Sequence, residues 1–359
     1  MDMRGFSDFF RLDEIDWEGE FSDVQVTCLD QKTIVEYLNA VRRNAPLSTD
    51  EREKFSRNLP FVHSKSAFFK DTGEGIDVEH FIAQITAKPN NLVNTNEKIL
   101  KSGGIDEYVY KSGIPAFRGI VYDKRQKKFF VINTCPGAGK CVVVCYALRG
   151  NYIRYAQSYD SMTRRLNLLL NHPEQFEQQL YRELRDKCEE HGARKGYRPT
   201  VVIRWNDSGD FFTKKYVDIA ESVIARLGDE GYNIKPYAYT KVADVAEKGR
   251  VGLVTFSQGG KPSQAERVSS KRRSYIIPKS VFEDLDLMKI SDEAVLKSNI
   301  IAHMRGIGVK VSPSNLLTYQ ELMRTPVASS EKWFVIVTSR DGDDAAFRAD
   351  VRGILLLEH

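Results

Sequence analysis

Apolar residues in the first ninety positions recur at helical spacing. In "QKTIVEYLNAVRRN" (31–44) Ile34, Val35, Leu38 and Val41 fall on one face, and "DVEHFIAQITAK" (77–88) keeps the same period. Between them Ser48 precedes Glu51 by three residues, the capping-box arrangement of a helix start. Residues 1–90 therefore predict a helical N-terminal region, read as a packing or partner-binding appendage. From 96 to 134 the period shortens towards two. "EKILKSG", "EYVYKSG", "FRGIVYD" and "KKFFVIN", divided by Gly-, Asp- and Lys-rich turns, predict a β-meander.

Beyond residue 150 long and short periods alternate. A helical stretch over about 151–192 leads to strand 200–205 ("TVVIRW"), helix 214–228, strand 234–239, a short helix near 242–248 and strand 251–257. Strand 272–278, helix 292–306 and strand 332–338 continue the series. Strands alternating with helices imply a parallel sheet with helical crossovers. No G-x-G-x-x-G follows the first strand, so the expectation is an α/β fold, a complete or partial (β/α) barrel of TIM type, over residues 91–356. "FFVIN" is counted as its first strand. The closing Leu357, Glu358 and His359 read as the remnant of an expression tag.

In such folds chemistry sits where strands end at their C-termini. The segments there are "NTCPGAGKC", "NDSGDFF", "TK" after "YAY", and "SQGGK". Each is polar, reactive or glycine-rich, which predicts one shared functional rim. Cys135, Cys141 and Cys145 place three thiols within eleven residues on a loop tightened by Pro136, Gly137 and Gly139. They could hold zinc with a fourth ligand, or an iron–sulfur cluster with one open iron, or they could be small buried hydrophobes. Asp207 and Asp210, flanking Ser208 and Gly209, could divide into a nucleophile or base and a protonated acid, or one could cap the next helix. Arg204, Phe211 and Phe212 suit a flat nucleobase. Tyr239, Lys241, Ser257, Gln258 and the backbone of Gly259 and Gly260 could read a purine edge, although a plain turn explains the glycines too.

Composition narrows this further. With 42% hydrophobic and 28% charged residues the 359-residue chain is ordinary for a globular cytoplasmic protein. No apolar run reaches the roughly 20 residues of a membrane span, and the start lacks a signal-peptide layout. Five cysteines, an odd number, argue against a disulfide framework. The net charge of +4 is small, so nucleic-acid affinity must come from local clusters. Arg149, Arg154, Arg164 and Arg165, interleaved with Tyr152, Tyr155 and Tyr159, form one candidate stripe. Lys261, Arg272 and Arg273 form another. A solvated helix face is the alternative for both.

The ordered run "TCP…C…CYA", "SGDF", "YTK" and "SQGG", spanning about 113–260, resembles the phage family called gene product 88. More distantly it is similar to the guanine transglycosylases, including phage relatives that insert 7-deazaguanines into DNA. That resemblance implies a zinc-bearing barrel acting as a pentosyltransferase on DNA and a free 7-deazaguanine-type base. Asp210 or Asp207 would attack the sugar C1′ and expel guanine, while the other moves the proton; Gln258, Gly259 and Gly260 would read the incoming base. The cysteine position also resembles radical enzymes that use a 4Fe–4S cluster with S-adenosylmethionine. The C-x5-C-x3-C spacing differs from the zinc and the cluster motifs of both. A third expectation is a zinc-stabilised nucleic-acid-binding protein without catalysis.

Overall fold

The computed structural model describes residues 26–43, 60–70, 72–73, 75–104, 106–148, 151–269, 272–285 and 290–358. Ser48 and Glu51, with their capping-box pattern, lie outside these residues. Strand β1 (Val26–Leu29) and helices α1 (Gln31–Arg42), α2 (Val78–Ile85) and α3 (Glu97–Leu100) precede β2 (Glu107–Ser112). A hairpin, β3 (Gly119–Asp123) and β4 (Lys128–Ile132), follows, then α4 (Asn151–Arg154), α5 (Ala156–Asn171) and α6 (Pro173–Lys195). From β5 (Thr200–Trp205) the alternation is regular: α7 (Lys214–Asp229), β6 (Ile234–Thr240), α8 (Ala243–Lys248), β7 (Leu253–Ser257), α9 (Pro262–Glu266) and β8 (Arg273–Ile277). The chain ends with α10 (Ile290–Gly306), β9 (Leu316–Thr318), α11 (Tyr319–Arg324), β10 (Trp333–Val337), α12 (Asp344–Phe347) and β11 (Val351–Leu357).

Eight of these strands form one parallel sheet in the order β2-β5-β6-β7-β8-β11-β10-β9. The expected alternation is thus correct, with β2 and β9 at the two ends of the hydrogen-bonded order. Both faces are covered, as a parallel sheet requires. On β5 Ile203 and Trp205 point to one face, packed with Leu166, Leu180 and Val223 of the helices. Val202 points to the other, where it meets Val109, Tyr237, Val335 and Ala345. Among the described residues no helix is long and apolar enough to cross a membrane.

Five expectations change. The meander is absent: "EKIL" is the helix α3, started by the Asn96 side chain accepting from the Ile99 amide, and "EYVYKS" is the edge strand β2 of the large sheet. "FFVIN" is β4, part of a separate antiparallel sheet ordered β1-β4-β3, so the cysteine loop does not follow a strand of the parallel sheet. The N-terminal region is not purely helical, because β1 pairs with β4 and ties it to the rest. Leu357 belongs to the fold: it pairs with Ile277 and is buried, and the Glu358 amide donates to Ile277 O at 2.9 Å. The helical stretch predicted over about 151–192 is divided into three helices, at Tyr155 and His172, with Pro173 opening the third.

The small sheet forms a third layer. One face, with Val121, Phe130 and Ile132, meets Leu166, Leu169 and Leu170 of α5. The other, with Ile120, Phe129 and Val131, meets Ile34 and Leu38 of α1 and Phe81 and Ile85 of α2. β4 thereby delivers residues 133–139 over the C-terminal edge of the large sheet.

Candidate active site

The loop after β5 turns sharply because two of its residues have left-handed backbones. Asn206 (φ +53°) is an uncommon residue there, and Gly209 (φ +77°) is the residue best suited to it. The Asn206 side chain accepts from Tyr216 OH at 2.9 Å, which pins the elbow to α7. Asp207 sits between the two and is directed back over the sheet. Gly113, after β2, leaves it room: a Cβ there would lie 2.1 Å from Asp207 Oδ1.

Asp207 is buried and contacts charge. Lys111 Nζ, at the end of β2, forms an ion pair with its Oδ2, and Tyr152 OH of α4 donates to the same oxygen. Lys111 pairs in register with Arg204 on β5, so both cations stand side by side on the face that carries α12. Arg204 in turn binds Asp343, just before α12. Asp343 also accepts from Tyr237 OH at 2.9 Å and lies 3.3 Å from Lys98 Nζ. Burial alone pushes the Asp343 carboxyl up, but Arg204 and Lys98 outweigh it and hold it below the usual carboxylate range. A charged row thus runs Asp207, Lys111, Arg204, Asp343, Lys98 across the sheet.

Asp210 is different. Its Oδ1 accepts from Thr240 Oγ1 (2.7 Å) and the Phe211 amide (2.8 Å), and its Oδ2 accepts from the Lys241 amide (2.8 Å). Complete burial pushes this carboxyl up against the pull of those bonds. It fastens the rim loop to the end of β6, and that engagement leaves Asp207 as the stronger nucleophile candidate of the pair. Neither aspartate caps α7; Thr213 does, accepting from the Tyr216 amide at 3.2 Å.

The four predicted rim segments meet. The Asp210 amide donates to Thr134 O (2.9 Å), the Lys261 amide to Gly137 O (2.9 Å) and the Cys141 amide to Gly259 O (2.9 Å), and Ala138 bridges Gly260 antiparallel. Glycines permit this closeness: a Cβ on Gly137 would stand 2.0 Å from Lys241 O, and one on Gly139 2.7 Å from Gly260 O. The rim inferred from sequence is therefore real, although its cysteine wall arrives from the small sheet.

Several expected contacts are spent elsewhere. Phe211 and Phe212 are fully buried against Tyr216 and cannot stack on a base. The Gln258 side-chain oxygen accepts from the Ile276 amide at 2.9 Å, Ser257 bonds Ser274, and Gly259 and Gly260 bind the cysteine loop. Ser208 is buried, and Tyr239 lies under the Arg204 guanidinium at 5.4 Å. Arg164 donates to Gln84, Arg165 to Asn91 and Gly113, and Arg272 to Thr255 and the carbonyls around α12. These three guanidiniums are structural rather than phosphate contacts, and Tyr159 is likewise buried, donating to Arg118 O. Arg273 donates to Val268 O and is half-buried. Arg154 and Tyr155 remain exposed beside Tyr152, while Arg149 lies outside the described residues.

Cys135, Cys141 and Cys145 are free thiols. Among the described residues no group of three or more His, Cys, Asp or Glu side chains converges as an ion would require. Burial, reinforced by the charge of Asp210, pushes the Cys135 thiol up to about 12. As arranged, the three do not fit a zinc or cluster cage.

Sequence reasoning missed Lys111, Lys98 and Asp343. The only signal for Lys111 was a lysine ending an otherwise apolar-and-aromatic strand. For Asp343 it was the acidic run "DGDD" (341–344) after β10.

The family model for Gene product 88 matches residues 89–289, more than half of the chain. No curated protein matches, and no solved structure matches. The chain belongs to the gene product 88 family.

Proposed function

We propose that this member of the gene product 88 family is a base-exchanging transglycosylase that acts in the cytoplasm on DNA, replacing guanine with a 7-deazaguanine-type base. The observation that carries the reading is the pair of aspartates on one strand-end loop in opposite surroundings. Asp207 is held by a cation and a phenol; Asp210 accepts from a hydroxyl and two backbone amides, with the Lys241 charge acting on it from beyond ion-pair distance. Such a division separates a reacting carboxylate from a positioning one. The large sheet is read as a partial (β/α) barrel, because residues of β2, β5 and β6 share one cluster with residues of β10 and β11.

In this mechanism an Asp207 oxygen attacks C1′ of a deoxyguanosine. The C1′–O bond forms as C1′–N9 breaks, and guanine leaves with its electron pair and takes a proton from solvent. Lys111 and Tyr152 hold the carboxylate in line and exclude water from it. The incoming base gives its N9 proton to solvent and attacks C1′ from the vacated side, and the ester to Asp207 breaks to restore the carboxylate. Arg204, paired with Asp343, braces Lys111 from the neighbouring strand, and Asp210 keeps the elbow in register.

The test is release of labelled guanine from duplex DNA, together with a denaturation-resistant protein–DNA adduct when no incoming base is supplied. Wild type should give both. Asp207→Asn should give neither. Because it also leaves the buried Lys111 unpaired, its unfolding midpoint should fall; the double variant Lys111→Met/Asp207→Asn, which removes both charges, should recover stability without recovering release or adduct. Adduct formation by either variant would remove Asp207 as the nucleophile, and DNA binding without release by the wild type would leave a binding protein.

A further inference from the structure

Between β2 and β3 the chain makes a tight turn, Ile114 to Arg118, that is fastened on every side. The Ile114 amide donates to Ser208 O on the elbow at 3.1 Å, and Thr134 Oγ1, just past β4, donates to Pro115 O. The Arg118 amide donates back to Ala116 O at 2.8 Å, and Arg118 O accepts from Tyr159 OH of α5 at 3.1 Å. The residue enclosed by the Ala116–Arg118 bond is Phe117, whose φ is +67°. A bond that closes around a single residue at positive φ is the strained form of γ-turn, and a bulky side chain there is an outlier.

Glycine would take that backbone without strain, so the fold itself has no use for a phenylalanine at this point. Strain of this kind persists where the surroundings fix it and a function needs it. Nor is the ring a core residue. From Lys111 to Val121 every residue is buried except Phe117 and Arg118, which are half-exposed. The Arg118 guanidinium lies over the Phe117 ring, 5.0 Å from its centroid. Its charge is felt at the Tyr37 phenol, but among the described residues no carboxylate pairs with it. A strained backbone thus lifts a flat ring and a flat cation together to the surface, where the elbow, the end of β4 and α5 meet.

We infer that Phe117 and Arg118 form a stacking seat for an unpaired nucleobase flanking the nucleotide at Asp207. Aromatic rings and guanidinium planes are the side chains on which splayed bases stack, and the guanidinium can also meet the phosphate next to the base. The seat stands beside Asp207 rather than over it. A Cβ on Gly113 would lie 2.1 Å from Asp207 Oδ1, and one on Gly209 2.5 Å from Ile114 Cγ1, whereas Phe117 comes after both contacts, next to the bond with α5. Taking a nucleotide out of a duplex costs its stacking and pairing, and a ring that receives a neighbouring base lowers that cost. This seat rests on the base-exchange reading for its choice of nucleic acid, but it makes a separate claim about binding.

The experiment is fluorescence anisotropy with the full chain and two labelled duplexes, one fully paired and one carrying a single unpaired base, at several salt concentrations. Wild type should prefer the unpaired base by about 5- to 150-fold, the range that one base–ring stack spans. Phe117→Leu keeps an apolar side chain but no flat face; it should lose the preference with the salt slope unchanged, and Phe117→Tyr should keep it. Arg118→Gln should lower the slope of log affinity against log salt by about 0.9, one phosphate contact. Phe117→Gly should also lose the preference, yet unfold no earlier than Phe117→Leu, because only glycine releases the strain. A Leu variant with the wild-type preference would mean a plain apolar contact, as a protein partner makes, and overturns the seat. A wild type that does not distinguish the duplexes, or a Gly variant less stable than the Leu variant, overturns it too. Ring-dependent preference without base exchange would sink only the enzyme reading. Base exchange without any ring-dependent preference would sink only the seat.

Discussion

Gly137→Ala tests the clasp that assembles the rim. An alanine Cβ would lie 2.0 Å from Lys241 O and 2.6 Å from Lys241 C, both backbone atoms, whereas ordinary contact begins near 3.4 Å. The loops must therefore separate by more than an ångström. Such a shift exceeds what the bonds Lys261 N to Gly137 O and Cys141 N to Gly259 O, each 2.9 Å, tolerate. Two part-buried backbone pairs left unmade cost about 1 kcal/mol each or somewhat more, so the expected loss is roughly 2 kcal/mol. Denaturant unfolding measures the loss, and hydrogen exchange should show faster exchange at the Cys141 and Lys261 amides. Gly228→Ala is the matched control: it lies in α7 with nothing within 4 Å of an added Cβ, and should stabilise by about 0.5–1 kcal/mol. If Gly137→Ala costs less than about 0.5 kcal/mol and leaves both amides protected, the clasp does not hold the rim together.

Arg272→Ala should destabilise by about 3 kcal/mol or more, because it strips donors from Thr255 and from the carbonyls of Ala345, Ala346, Arg348 and Val351. Arg272→Lys should recover less than half, since one ammonium cannot span those acceptors; full recovery in denaturant titrations would contradict the assignment. The His191 ring stacks on Tyr108 and its Nε2 meets Tyr110 OH at 2.7 Å, and burial holds its pKa below the ordinary 6.5. The folded chain then binds this proton less readily than the unfolded one, so stability rises with pH across the window ending near 6.5 and is lost below it. His191→Gln should flatten that part of the stability–pH curve; an unchanged curve would show that His191 does not contribute.

What the sequence disclosed follows from the range of its signals. β5 and β6 were read within a residue because each is an apolar run bounded by turns, and the rim loops because polar and glycine residues stood directly after them. β9, three residues long, was too short for any period to show. β11 went unread because its apolar run ends where the chain looked artificial. "EKIL" matched a strand over four residues, but the cap at Asn96 decided for a helix. The partners of the aspartates were hidden for another reason. Lys111 reaches Asp207 through the β2–β5 register, and Asp343 reaches Arg204 across more than a hundred residues; neither is a local property. Charge also conceals burial. Arg164, Arg165 and Arg272 read as members of two nucleic-acid-binding stripes, yet each donates to backbone carbonyls of the fold.

The separate origin of the cysteine loop carries a kinetic consequence. Residues 133–139 hang from an antiparallel hairpin whose contacts are close in sequence, whereas their docking partners at 210, 241 and 259–261 belong to a sheet of long-range pairings. The hairpin has short loops to close, and the large sheet has long ones. The rim is thus the seam between two assemblies that mature at different speeds. A refolding chain should recover its helical signal and hairpin protection before the Cys141 amide becomes protected, so competence arrives last, when the seam closes.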